Sequence, residues 1–63
     1  MKHLLFIKNL NSEDDVRKIE EAFAESRIEY EIILKDKCIA IMGRNDMVRA
    51  AKTLLSEYGY IVD

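Results

Sequence analysis

Ile7-Lys8-Asn9-Leu10-Asn11-Ser12-Glu13-Asp14-Asp15-Val16 carries the chain out of an apolar strand and into a charged, amphipathic helix. Upstream, His3-Leu4-Leu5-Phe6-Ile7 is a continuous apolar run of strand length, about half of what a buried helix needs. Ser12 reads as a helix N-cap, with Asp15 three residues on to complete a capping box. Glu13, Asp14 and Asp15 then fill the first turn, where the positive end of the helix dipole favours carboxylates. Val16, Ile19, Ala22 and Phe23 fall on one face of a helix expected over 13–26.

Beyond that helix the period drops to two. Tyr30, Ile32 and Leu34 point one way, and Glu29, Glu31, Ile33 and Lys35 the other. Asp36-Lys37 separates them from Cys38-Ile39-Ala40-Ile41-Met42, giving a hairpin without the Asn-Gly or Asp-Gly signal of a tight primed turn. Gly43 ends the strand, Asn45 is the expected N-cap of a second helix and Asp46 lies in its first turn. Met47, Val48, Ala51, Leu54, Leu55 and Tyr58 form that helix's apolar stripe. Gly59 sits where a helix end favours positive φ, and 60–62 is expected to be a short closing strand. The order β-α-β-β-α-β predicts one α+β, ferredoxin-like domain over 1–63, a four-stranded antiparallel sheet with two helices on one face. Its expected core is Leu5, Ile7, Leu10, Val16, Ile19, Phe23, Tyr30, Ile32, Leu34, Ile39, Ile41, Val48, Ala51, Leu55 and Val62.

If Leu5 and Ile7 face the helices, then Leu4, Phe6, Ile33, Cys38, Ala40 and Met42 project to the uncovered side of the sheet. An apolar patch there is a candidate surface for a homodimer or a protein partner, with the stems of Lys8, Lys35 and Lys37 as partial cover. Ten basic against twelve acidic residues argue against nucleic acid, whose binders carry a clustered basic surplus. A sheet-face RNA reader would also need more exposed aromatics than Phe6. With no leader pattern, no long apolar run and one thiol, a cytoplasmic location off the membrane is expected.

The apolar strand running into Ile7-Lys8-Asn9-Leu10, and the ending Leu54-Leu55-Ser56-Glu57-Tyr58-Gly59-Tyr60-Ile61-Val62, resemble the heavy-metal-associated domain of copper chaperones and metal-transporting ATPases. The resemblance spans nearly the whole chain. It places Leu10 at the inward-packing loop methionine and Tyr60 at the aromatic beside the metal loop. It also implies a Met-x-Cys-x-x-Cys metal site at the first strand–helix junction, where two thiolates would bind a soft ion. Here those cysteine positions are Ser12 and Asp15, neither a soft ligand, so the chain resembles a degenerate member of that family. Amino-acid-sensing ACT domains share the element order, but their first loop takes a glycine that Asn9-Leu10-Asn11 lacks.

Cys38 is the only thiol and His3 the only imidazole. A metal or redox site through Cys38 would be shared across a dimer, with Met42 or His3 as companion; as a lone residue Cys38 reads as a small apolar strand residue. Met42 and Met47 flank Gly43-Arg44-Asn45-Asp46 and form a soft pair that also suits core filling. Arg44 and Asn45 at a helix start suit a small anion, which Asp46 would repel. The adjacent carboxylates 13–15 lack the spacing and glycine turn of a calcium loop. No nucleophile-plus-base set, separated carboxylate pair or phosphate-cradling glycine loop occurs. The expected function is therefore non-catalytic, with no cofactor, working by docking or self-association. Cu(I) or Zn(II) held at a non-standard site is the alternative.

Overall fold

The computed structural model describes residues 2–63. In chain order it contains β1 (Lys2–Phe6), α1 (Glu13–Phe23), β2 (Glu29–Ile33), a 3-10 turn (Leu34–Asp36), β3 (Cys38–Met42) and α2 (Asn45–Glu57). The sheet is antiparallel, in the order β1-β3-β2. β3 is its central strand, with Leu5 opposite Ile39 and Ile39 opposite Ile32.

The sheet has three strands, where the sequence reading expected four. Of the closing segment only Val62 pairs, in a single antiparallel bridge to Ile7. Lys8 N–H donates to Ile61 O at 2.9 Å and Asp63 N–H to Phe6 O at 2.8 Å. The segment is too short for a ladder because Tyr60 is already committed to ending α2. Its N–H donates to Leu55 O (2.8 Å), and Gly59 N–H donates to Ser56 O (3.0 Å). With Gly59 at φ +88°, this is a Schellman closure, and buried Tyr60 and Leu55 supply its usual apolar contact.

Three boundaries also differ from expectation. First, α1 stops at Phe23 rather than running to 26. Ser26 Oγ donates to Phe23 O at 2.7 Å and accepts from Ile28 N–H at 3.2 Å, while Arg27 adopts φ +63°. A hydroxyl in the last turn thus competes with the helix for its backbone. Second, Leu34 leaves the strand for the 3-10 turn, which Lys37 closes at φ +53° with its N–H on Leu34 O. Third, Arg44, not Asn45, is the N-cap of α2. It is extended and makes no side-chain capping bond. Gly43, at φ +120° under Met47, swings the chain so that Asn45 is already helical. Arg44→Ser should therefore supply a missing cap, raising stability by about 0.5–1 kcal/mol in urea unfolding.

Packing follows the periods. Ile19 and Phe23 of α1 and Ala51 and Leu55 of α2 are buried in one cluster with Leu5, Ile7, Leu10, Ile39 and Ile41. Both helices therefore cover the same face of the sheet. Full burial of each large side chain contributes about 1.5–3 kcal/mol. Val16, Tyr30, Ile32, Leu34, Val48 and Val62 are partly buried against that cluster. The Tyr30 ring meets Phe23 edge-on at 4.8 Å. Ile28 and Tyr60 join the core unexpectedly. No helix among the described residues is long and apolar enough to cross a membrane.

Candidate functional site

The loop from Ile7 into α1 is tied down at both ends. Leu10 is fully buried and anchors the middle of the loop in the core. Ser12 takes an extended backbone and caps α1. Its hydroxyl accepts from Asp15 N–H, and Asp15 answers through the Ser12 backbone.

Asp15 does more than close a capping box. Its Oδ2 accepts from Asn11 N–H at 3.0 Å and from Ser12 N–H at 3.2 Å. Its Oδ1 accepts from the Tyr60 hydroxyl at 2.8 Å, across 45 residues of sequence. Both oxygens are therefore engaged. The Asn11 N–H, then the Tyr60 hydroxyl, hold the Asp15 carboxyl below its usual value. Burial, followed by the Asp15 contact, pushes the Tyr60 phenol up to about 12. The pair thus has a carboxylate kept ionised and a phenol kept protonated, which is the donor–acceptor arrangement that holds them together.

Asn9 completes the closure. Its Nδ2 donates to Gly59 O at 2.9 Å, and its Oδ1 accepts from Ile61 N–H at 2.8 Å. One side chain thus clips the first loop to the segment that follows α2. Lys8 and Asp63 add a 3.9 Å ion pair, too exposed to contribute much.

As a metal loop this donor set fits poorly. Ser12 offers a hydroxyl and Asp15 a carboxylate, both hard oxygens, where a soft ion prefers thiolate. The carboxylate is also already saturated by N–H and O–H donors. Among the described residues, no cluster of three or more His, Cys, Asp or Glu is placed to hold a metal. Cys38 is 2% exposed, and burial, then the charge of Asp36, raises its thiol above the usual value. Within one copy of the chain, its proposed companions lie away from it. His3 is opposite Ile41 on the helix side, and Met42 is four residues along the strand, about 13 Å away. Met42 and Met47 do come together, in a shallow cleft of about 450 Å³ that Arg27, Glu29, Arg44 and Asp46 also line. Two arginines and two carboxylates thus share the cleft with the two thioethers.

The open sheet face follows from the register in three rows. Lys2, Met42 and Glu29 form one, Leu4, Ala40 and Glu31 the next, and Phe6, Cys38 and Ile33 the third. Leu4 and Phe6 are each 49% exposed, and Ile33 and Met42 are half-buried. Ala40 and Cys38 do face this side but are buried, contrary to the expectation that Ala40 is available for contact. They are small side chains on the central strand, and their larger neighbours on β1 and β2 overhang them. Ile61 joins the face, because Val62 packs into the core and alternation turns Ile61, 56% exposed, outward. The sequence offered no register for that segment, so this residue was missed. Asn9 was missed for a similar reason: only folding brings it beside Gly59.

No family model matches the chain, and no curated protein matches it. Among solved structures, a CsoZ metallochaperone superimposes with a TM-score of 0.81 over 100% of this chain and 96% of that one, at 11% sequence identity. The chain thus has the α+β fold of a small metallochaperone, with two helices on one side of an antiparallel sheet.

Proposed function

We propose that this chain is a non-catalytic, metallochaperone-like domain whose metal loop has become a structural clasp, and that it acts by docking through its open sheet face. The observation that carries this reading is the full engagement of Asp15, which stands where a soft ligand belongs and instead binds Asn11, Ser12 and Tyr60. The fold shared with a metallochaperone supports a place in metal handling, as a partner in that process and not as a carrier. Leu4, Phe6, Ile33 and Met42, with Ile61, are the contact residues this reading assigns. Buried Cys38 is assigned to packing, and a reducing, cytoplasmic setting suits a domain with one unpaired thiol.

Anaerobic titration of the reduced protein with Cu(I) and with Zn(II), followed by amide NMR, tests the reading. The expected outcome is no stoichiometric shift in residues 9–15 or at Cys38. Slow-exchange shifts in that loop at one equivalent would overturn it. Shifts confined to Met42 and Met47 would equally overturn it, in favour of a thioether site in the cleft they share.

A further inference from the structure

The turn after α1 and the turn into α2 meet at one end of the sheet, where Glu29 at the start of β2 lies opposite Met42 at the end of β3. The loop that holds Ser12 and Asp15 follows Phe6, at the other end. Two stretches of one pattern converge here. Arg27-Ile28-Glu29 and Arg44-Asn45-Asp46 each set an arginine two residues ahead of a carboxylate. All four charged side chains line the cleft of about 450 Å³ that Met42 and Met47 share.

The four charges do not neutralise one another. Among the described residues the ion pairs are Lys8–Asp63 and Arg17–Asp14, and Arg27, Glu29, Arg44 and Asp46 take part in neither. Arg27 stands at φ +63°, a conformation that glycine or asparagine adopts with less strain. Its guanidinium is thus carried at this corner against the preference of the backbone. Gly43 lets Met47 rest directly on the main chain, since a Cβ there would lie 3.3 Å from Met47 Cγ. With Met42, it gives the cleft an apolar and adaptable lining.

From this we infer that the cleft binds a small zwitterion with an apolar side chain, a free amino acid or a dipeptide. The site is separate from the docking surface, although Met42 lies where the two meet. Arg27 and Arg44 hold the ligand's carboxylate, which the guanidinium fork suits. Glu29 and Asp46 hold its ammonium, and the two thioethers cover its side chain. A bare anion would sit beside two carboxylates and a bare cation beside two arginines, so only a molecule with both signs answers all four charges. The volume falls within the about 300–1,000 Å³ of small-molecule sites. The cleft is shallow and its charged groups are exposed, so binding is weak, roughly millimolar.

The test is amide NMR of the full chain titrated with L-leucine, with dileucine, and with two leucine analogues that each lack one charge, isocaproate and isoamylamine. Saturable shifts at residues 27–29 and 42–47 are expected with leucine or dileucine, the tighter of the two naming the source. Either analogue should bind about fivefold more weakly or worse. Arg27→Gly, which suits the backbone at φ +63°, should narrow the preference for leucine over isoamylamine and leave that over isocaproate unchanged. Glu29→Gln should do the reverse. No saturable shift up to roughly 50 mM, analogues that bind as well as leucine, or variants that alter both preferences alike would overturn the inference. So would shifts confined to His3, Arg44 and Asn45, which line a neighbouring recess of about 330 Å³, because they would mark a bare anion bound beside the cleft. The metal titration reads the other end of the sheet, so either proposal can fail while the other stands.

Discussion

Asn9→Ala is expected to lower stability by about 1–2 kcal/mol, through the loss of two exposed side-chain to backbone hydrogen bonds. The effect should be local before it is global. Gly59 O and Ile61 N–H lose their partner together, so beyond Tyr60 the segment is held to the first loop chiefly by the Ile7–Val62 bridge. Hydrogen exchange should then speed up at Ile61 and Asp63 in conditions where β3 amides remain protected. Asn9→Asp, which keeps an acceptor for Ile61 N–H but loses the donor to Gly59 O, should fall between wild type and Asn9→Ala. Equal exchange at Ile61 in Asn9→Ala and wild type would remove Asn9 from this role.

The second large effect is at Asp15. Asp15→Ala removes the reciprocal half of the cap and strands the buried Tyr60 hydroxyl, so the melting temperature should drop on the order of 10 °C. Asp15→Asn should fall less, because an amide oxygen can still accept from Tyr60. The pH dependence gives the same pair a signature. The folded-state value of Asp15 is lowered from 3.8, so its contribution is fully present above about pH 4 and is lost as pH falls through the lower folded value. The folded-state value of Tyr60 is raised from 10 to about 12, so its contribution is present below pH 10 and is lost as pH rises toward 12. Stability should therefore be flat between these limits and fall on both sides. Thermal melts across the range should show the acid limb shrinking in Asp15→Ala and the alkaline limb shrinking in Tyr60→Phe.

Local chemistry was legible in the sequence wherever one element specifies itself. The Ser12–Asp15 capping box and the positive φ of Gly59 can be written down from spacing alone, because a cap needs only residues three apart. The same holds for the helix face of Ile19 and Phe23 and for the alternation in β2 and β3. What the sequence withheld depends on contacts between distant segments. Tyr60 looked like the first residue of a strand, but closing α2 used its N–H and turned its hydroxyl to Asp15. Ala40 was assigned to the open face correctly and to the accessible surface wrongly, since accessibility depends on neighbours across the ladder. Asn45 lost the cap to Arg44 because the φ +120° bend at Gly43, and not side-chain preference, set where α2 begins. The first strand–helix loop can be picked out in the sequence as a junction, while the hydrogen bonds that tie it to the end of the chain required Asn9 and Tyr60 to be seen in space.

The most direct test of the clasp is the pKa of the Asp15 side chain, read from its carboxyl ¹³C shift in wild type and in Tyr60→Phe, each with and without one equivalent of Zn(II). A carboxyl that titrates below 3.8 in wild type, moves up when the Tyr60 hydroxyl is removed and ignores the metal is the predicted result. A carboxyl that titrates at its ordinary value in wild type would mean that the clasp does not hold it, and one whose titration Zn(II) displaces would mean that this loop binds metal.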